Sequence, residues 1–152
     1  LRETLITYKN GNASVAPALA QILLQTLDTW LVNVSLQIIP IPSSRAKKNL
    51  RGHDSISRLC AEMLQQKKDL QVTQGALYLG REVRDQVGLD ARQRQANLAG
   101  AFTARQRLSG TVVIVDDVTT TGATLTNAAK ALRIAGAQSI FAITLCGSPD
   151  NR

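Results

Sequence analysis

An uninterrupted run of mostly β-branched residues, Thr111–Val115, constrains the fold more than any other stretch of the sequence. Continuous apolar runs are typical of strands buried on both faces of a parallel sheet, whereas half-exposed strands alternate apolar and polar residues. A short polar loop follows, and then a predicted helix, Gly122–Ala135, that ends at Gly136. A second apolar strand is predicted at Ser139–Leu145. This strand–helix–strand order predicts an α/β domain with a mainly parallel sheet.

The rest of the chain alternates helices and strands in the same way. Apolar residues at helical spacing predict a helix over Val15–Leu31, after an Asn-Gly-Asn turn. A short strand, Leu36–Ile39, runs into a loop at two prolines, and Asp54 or Ser55 can cap the next helix. A further strand is predicted at Ala76–Leu79.

Size and charge limit the classes of function. The 152 residues predict a single domain over 1–152 that needs neither disulfides nor a structural metal. No apolar run approaches the roughly 18 residues of a membrane span, so we expect a soluble, cytoplasmic protein. The net charge of +7 predicts anionic partners, either phosphorylated small molecules or nucleic acid. Cys60 and Cys146 belong to no CxxC pair and are expected to be core thiols.

The segment Val112–Thr124 carries the most specific chemistry. A buried strand ends in two carboxylates, Asp116 and Asp117, and a loop of small residues then opens a helix. Backbone N–H groups at a helix N-terminus suit a phosphate dianion, and Gly122 lets the backbone approach it closely. The carboxylates can accept hydrogen bonds from vicinal ribose hydroxyls and stabilise positive charge on the sugar ring. The predicted phosphate-binding residues are Thr119, Thr120, Thr121, Gly122, Ala123 and Thr124.

A different interpretation of this segment is a strand-end metal site or a helix cap in some other doubly wound protein. A Walker loop and a dinucleotide-binding loop are excluded, because the sequence contains neither GxxxxGK[ST] nor GxGxxG. The phosphate donors and the two carboxylates together suit a sugar that bears a 5-phosphate.

Val112–Thr124 closely resembles the signature of type I phosphoribosyltransferases, in which a hydrophobic strand, two acids and a T-G-x-T loop follow in this order. The resemblance implies that family's α/β fold, a mainly parallel central sheet flanked by helices, and binding of 5-phosphoribosyl-1-pyrophosphate (PRPP). It also implies Mg²⁺ as a cofactor, with Asp116 and Asp117 acting on it indirectly rather than as direct ligands. Thr119 departs from the signature, which usually has an aliphatic residue there.

Other residues resemble the ComF/GntX-like subgroup, which is associated with competence and DNA uptake. The matching residues, between Ile38 and Gly136, are Ile41-Pro42, Arg51-Gly52, Gln86, Leu89, Arg94 and Asn97-Leu98-Ala99-Gly100-Ala101-Phe102. His53-Asp54 replaces an aromatic-Asn pair. We also expect the domain to lack the cysteine-rich zinc ribbon of longer members.

Ligands of open α/β sheets bind beyond the carboxyl ends of the strands. Four loops of this chain follow predicted strands: Pro40–Asn49, Gly80–Gly100, Asp116–Thr124 and Cys146–Asp150. In the first loop, backbone amides together with Ser43, Ser44 and Arg45 could hold pyrophosphate, which resembles the role of the equivalent family loop. A solvated basic turn is the alternative.

The polar segment Gly80–Gly100 is expected to be a long mobile loop with at most a helical turn, since it has few large apolar residues. Arg92 and Arg94 on this loop could close over the pyrophosphate as the C1–O bond breaks, and Arg94 matches the family better. Arg94 is therefore a predicted catalytic residue, with Asp116 and Asp117. A solvated charge run is the alternative.

Two functions fit these observations. The first is a Mg-dependent phosphoribosyltransferase that moves ribose 5-phosphate from PRPP to a nitrogen nucleophile. The second is a non-catalytic module of DNA uptake that binds single-stranded DNA or a partner through its basic surface, although only 3% of the residues are aromatic. The sequence leaves open the accepting base, whether the protein is an enzyme, and the oligomeric state, a homo-oligomer included.

Overall fold

The computed structural model describes residues 1–30, 35–81, 83, 88 and 90–147. The helices are α1 (Arg2–Lys9), α2 (Ala16–Trp30), α3 (Arg45–Arg51), α4 (Ser55–Gln66), α5 (Ala91–Leu98) and α6 (Ala123–Ile134), with a 3₁₀ helix at Ala13–Val15. The strands are β1 (Leu36–Pro40), β2 (Gln71–Val72), β3 (Leu77–Leu79), β4 (Phe102–Ala104), β5 (Thr111–Thr119) and β6 (Ser139–Gly147). Within these described ranges, no helix has the length and apolar character to cross a membrane.

Four parallel strands form the main sheet, in the order β2-β1-β5-β6. Helices flank this sheet, so the predicted α/β fold with a mainly parallel sheet is confirmed. The strand predicted at Ala76–Leu79 forms instead as β3, which pairs with β4 in a separate antiparallel ribbon. The sequence pattern had placed the segment after β3 at the carboxyl edge of the main sheet. In the structure this segment follows the separate ribbon instead.

Both faces of β5 are buried, which explains its continuous apolar sequence. Val113 and Val115 pack with α2 and α4 on one side of the sheet. Val112 and Ile114 pack with α6 and the ribbon on the other side. All four side chains are fully buried. The strand β5 also pairs with a neighbour on each side, β1 and β6, so it is an interior strand of the sheet.

β5 is longer than the predicted strand, and the correction affects the two acids. The neighbouring strand β1 ends where Pro40 faces Val115, but β6 continues alongside β5 until Gly147 faces Thr119. Asp116 and Asp117 therefore lie inside the extended part of β5 rather than beyond its end. The pairing of Asp116 with Thr144 and of Val118 with Cys146 fixes this part of the backbone at the carboxyl edge of the sheet.

The polar segment before β4 contains a regular helix, α5, where the sequence had predicted a loop. Asp90 and Gln93 form a capping box: the Asp90 side chain accepts from the Gln93 N–H, and the Gln93 side chain accepts from the Asp90 N–H. Such a box satisfies two N–H groups that a helix start otherwise leaves unpaired. Capping thus stabilises a helix that buries little besides Leu98.

Several predicted features fall outside the described residues. They are Leu31 at the end of the predicted second helix, Gln86 and Leu89 of the subgroup pattern, and the part of the last loop after Gly147.

The start of α4 fixes two other parts of the chain. Asp54 caps this helix by accepting from the Ser57 N–H, as the sequence predicted. The same carboxylate accepts from the backbone N–H and the hydroxyl of Ser43, and it forms an ion pair with Lys48 at 2.9 Å. One residue later, the Ser55 carbonyl accepts a hydrogen bond of 2.8 Å from the buried Tyr8 hydroxyl, whose pKa burial raises to about 12.

Replacing Asp54 by Ala should destabilise the protein in a pH-dependent way. Burial alone would raise the pKa of this carboxyl, but hydrogen bonds from Lys48, Ser43 and Ser57 lower it below its ordinary value. A carboxyl whose pKa is lower in the folded state stabilises the protein above its unfolded-state pKa of about 3.9. This stabilisation is lost as the pH falls through the folded-state pKa. Asp54→Ala should cost about 1–2 kcal/mol near pH 7.

Urea unfolding of both proteins at pH 7 and pH 3 checks this prediction. The difference in unfolding free energy should shrink at pH 3, and a difference that stays constant would contradict it.

Candidate functional site

A cavity of about 330 Å³ opens at the carboxyl edge of β1 and β5. Its walls come from the loop after β1, the end of β5 with the following loop, α5, and the C-terminal residue of α1. Most predicted site residues line this cavity: Ser43, Ser44, Arg94, Asp116, Asp117, Thr119, Thr120, Thr121, Gly122, Ala123 and Thr124. The structure thus brings together three segments that are far apart in sequence.

The loop between β5 and α6 has the backbone shape of an anion site. Gly122 lies in the left-handed region, at φ 71° and ψ 0°, and it begins α6 without a side-chain cap. Glycine adopts this conformation without the steric cost that a Cβ brings. The first N–H groups of a helix have no partner inside the helix, so they and the positive end of the helix dipole favour an anion. The loop hydroxyls lie in the same wall, and that of Thr121 accepts from the Ala123 N–H at 3.4 Å.

The two acids of β5 are held differently. Asp116 is 9% exposed, and its Oδ1 accepts a hydrogen bond of 2.8 Å from the Asp117 N–H. The Asp117 side chain is 17% exposed, and its Oδ2 lies 2.6 Å from Nζ of Lys9. The backbone therefore orients the first acid, whereas a lysine from α1 orients the second.

Arg94 approaches the phosphate-binding loop from α5. Its guanidinium donates a hydrogen bond of 3.3 Å to Oγ1 of Thr120. Arg92, on the same helix, is exposed and does not line the cavity. Of the two arginines singled out by the sequence, only Arg94 reaches the site.

Arg45 lies apart from the other predicted pyrophosphate-binding residues. It is the first residue of α3, and it lines a neighbouring, wider cavity of about 920 Å³ instead. Ser43 and Ser44 line both cavities, as do Pro42, Leu79 and Val83, so the two serines form part of the wall between the cavities. The structure therefore places Ser43 and Ser44 beside the acids, and Arg45 on the far side of that wall.

The wide cavity is basic. Its lining includes Arg45, Lys48, Arg81 and Arg105, with Asp54 as the acidic residue. The guanidinium of Arg105 lies 4.6 Å from the centre of the Tyr78 ring, and Tyr78 is half-buried. This arrangement is a cation–π contact on the wall of the wide cavity.

Comparison with known proteins identifies the family. A protein-family model described as the phosphoribosyl transferase domain matches residues 3–152. The chain belongs to this family.

Solved structures of phosphoribosyltransferases share its fold. A hypoxanthine phosphoribosyltransferase from Staphylococcus aureus is 14% identical, with a TM-score of 0.52 over 90% of this chain. An orotate phosphoribosyltransferase from Aeropyrum pernix is 20% identical, with a TM-score of 0.53 over 93% of this chain. The match spans 65% and 64% of those two chains. A search of curated proteins finds no match.

The phosphoribosyl transferase domain offers few metal ligands of its own. Among the described residues, no group of three or more His, Cys, Asp or Glu side chains is placed to hold a metal ion. The cavity of about 330 Å³ is called the narrow cavity below. In its described lining the acidic residues are Asp116 and Asp117, and Asp117 is ion-paired. Mg²⁺ keeps several waters and binds through few carboxylates plus phosphates of a substrate. The site therefore fits a Mg²⁺ ion that is held mainly by the oxygen atoms of a bound ligand.

Sequence reasoning missed two residues that shape the site. No sequence feature marked Lys9 as a site residue. A lysine in the last turn of a helix is ordinarily solvated, and its charge interacts favourably with the helix dipole. Asp54 was recognised as a helix cap, but its contact with Ser43, eleven residues earlier, depends on tertiary structure. Neither cysteine belongs to the site, since burial raises the pKa of Cys60 to about 12 and neither thiol lines a described cavity.

Gly122→Val should abolish phosphate binding. A β-branched residue at φ 71° is strained, and relaxing the strain moves the first N–H groups of α6 away from the anion. Titration with inorganic phosphate measures the effect, and we expect a loss of more than about tenfold, equivalent to 1.4 kcal/mol.

Gly110→Val is the matched control, because Gly110 has a φ of 68° and lies outside both cavities. Gly110→Val should lower the free energy of unfolding about as much as Gly122→Val does, but it should leave the affinity for phosphate unchanged. Retained phosphate binding in Gly122→Val would show that the anion lies elsewhere.

Proposed function

We propose that this protein binds PRPP and transfers its ribose 5-phosphate to a nitrogen nucleophile, with release of pyrophosphate. One observation carries the proposal: a left-handed glycine opens α6 beside two strand-held carboxylates in one cavity. The family match and the shared fold with two phosphoribosyltransferases support it.

The 5-phosphate would bind to the loop Thr119–Thr124. The backbone N–H groups at the start of α6 donate to its oxygens, and the threonine hydroxyls add further donors. Arg94 contacts Thr120 of this loop, so its positive charge lies close to the bound phosphate. Hydrogen bonds to an ionised phosphate are about twice as strong as those between neutral groups.

The ribose would lie over Asp116 and Asp117. Their carboxylates accept hydrogen bonds from the vicinal hydroxyls and stabilise the positive charge that develops at C1. In the reaction, the lone pair of the nucleophile's nitrogen forms the new bond to C1. The C1–O bond breaks at the same centre, and its electron pair leaves with the pyrophosphate. The protein mainly positions these groups and stabilises charge.

The pyrophosphate would lie at the wall formed by Ser43 and Ser44, with Arg45 and Arg94 on either side of that wall. Asp54 holds Ser43 through two hydrogen bonds, which keeps this wall in place. A Mg²⁺ ion bound with PRPP would be held indirectly through Asp116 and Asp117, and it would supply neutralisation of the ligand's negative charge.

Within the family, we propose membership of the ComF/GntX-like subgroup. The support is the run Asn97–Phe102 together with Arg94, which the structure places on α5 and at the start of β4. Leu98 and Phe102 are buried in the core cluster that includes β5, so this part of the pattern has a packing role beside the contact of Arg94.

Replacing both acids, Asp116→Asn with Asp117→Asn, should weaken binding of Mg-PRPP by at least about tenfold. Neutral amides lose the charge that favours both the hydroxyls and the developing cation. Isothermal titration of Mg-PRPP measures the effect, and a pyrophosphate-release assay across nitrogen bases tests the transfer step.

Glu3→Gln with Asp69→Asn is the charge-matched control, since both residues are exposed and outside the cavities. It should bind Mg-PRPP like the wild type. A folded Asp116/Asp117 double variant with unchanged affinity would overturn the proposed function.

A second candidate function is binding of single-stranded DNA, and the wide basic cavity is the observation that favours it. Four cationic residues line this cavity, and Tyr78 offers a ring face beside Arg105. Single-strand binders combine a basic groove with aromatic side chains on which bases stack.

If this candidate is correct, Tyr78→Ala should weaken the binding of a short single-stranded oligonucleotide by about tenfold or more. A gel shift at two salt concentrations measures it, and the wild-type affinity should fall as the salt rises. Equal affinity of Tyr78→Ala and the wild type would exclude the cavity as the DNA site.

A further inference from the structure

We propose that Lys9 is a positioning residue: its ammonium group orients Asp117 toward the hydroxyls of the bound ribose. The inference rests on the proposed function and adds a residue from the N-terminal helix to the ribose site. Its starting point is the distance of 2.6 Å between Nζ of Lys9 and Oδ2 of Asp117, in the wall of the narrow cavity.

The helix that carries Lys9 is firmly anchored. Leu5 and Tyr8 are buried in the core cluster that also contains α2 and α4. The Tyr8 hydroxyl donates to the Ser55 carbonyl at the start of α4. Lys9 follows Tyr8 directly, and the backbone N–H of Asn10 bonds back to Ile6 to close the helix. The position of the Lys9 backbone is therefore fixed by the core rather than by its ion pair.

The ion pair is partly shielded from water. The side chains of Lys9 and Asp117 are 22% and 17% exposed. Solvent weakens exposed ion pairs strongly, whereas partly buried pairs keep more of their attraction because they are screened less. The pair therefore restrains the Asp117 side chain more than a surface contact would.

The two acids need separate restraints because of where they stand on β5. Side chains of successive strand residues point to opposite faces, so Asp116 and Asp117 pack against different neighbours although both line the cavity at the end of the strand. Asp116 accepts from the next backbone N–H, a contact within the strand itself. For Asp117 the corresponding contact comes from another element, α1, through Lys9.

The lysine does not block the acid. A carboxylate has two oxygens and about four lone-pair positions, and Lys9 contacts Oδ2. Oδ1 of Asp117 can then accept from a ribose hydroxyl while Lys9 stays in place. The lysine also offsets part of the repulsion between the two neighbouring carboxylates.

Lys9 and Arg94 therefore have different tasks. Arg94 contacts Thr120 in the phosphate-binding loop, and Lys9 contacts the acid assigned to the sugar. Removing the lysine charge should weaken binding of the sugar hydroxyls and leave binding of the phosphate group unchanged. That selectivity separates positioning from a general effect of lost positive charge.

The test compares two ligands that share a phosphate monoester and differ in the sugar hydroxyls: ribose 5-phosphate and methyl phosphate. Their dissociation constants are measured by isothermal titration for the wild type, Lys9→Met, Lys9→Arg and Lys68→Met. Lys68 is exposed and lies outside both cavities, so its variant has the same change in net charge. Circular dichroism confirms that each variant is folded.

Lys9→Met should bind ribose 5-phosphate about three- to tenfold more weakly and methyl phosphate as the wild type does. Lys9→Arg should restore most of the difference, and Lys68→Met should change neither constant. Unchanged ribose 5-phosphate binding in Lys9→Met, equal losses for both ligands, or no rescue by arginine would each overturn the inference. A wild type that binds the two ligands equally would instead overturn the ribose site itself, and with it the proposed function.

Discussion

The Asp54 carboxylate at the start of α4 is the interaction on which the arrangement of the site depends. It caps α4, holds Ser43 in the loop after β1, and pairs with Lys48 of α3. The next residue, Ser55, receives the Tyr8 hydroxyl and so ties α1 to the same point. One helix N-terminus thus sets the distance between a wall of the narrow cavity and the helix that carries Lys9.

The opposite wall depends on β5, which is buried on both faces and paired on both sides. The rigidity of this strand explains how adjacent acids can be held close together at the sheet edge. It also explains why the loop that follows can be short. The left-handed glycine turns the chain from the strand into α6 with few residues, and the helix N-terminus then lies close to the acids.

The sequence was informative where local chemistry decides the structure. The apolar run of β5, the acids and the small-residue loop predicted the parallel sheet and the lining of the cavity. The boundary of β5 was wrong because its length depends on pairing with β6. The helix α5 was missed because its polar sequence lacks apolar residues at helical spacing, although the Asp90/Gln93 capping box is itself a local signal. Lys9 and the position of Arg45 were beyond prediction for a related reason. Both depend on where separate elements pack, which a short stretch of sequence does not encode.

The shared wall between the two cavities has a thermodynamic consequence. Ser43 and Ser44 contribute to both spaces, and Asp54 holds Ser43 from one side. A ligand in the wide cavity that shifts this wall changes the affinity of the narrow cavity for its own ligand. Because binding free energies are linked, the narrow cavity's ligand must then change the affinity of the wide one by the same factor. The two spaces would then behave as a coupled pair, with the coupling carried by the wall that they share.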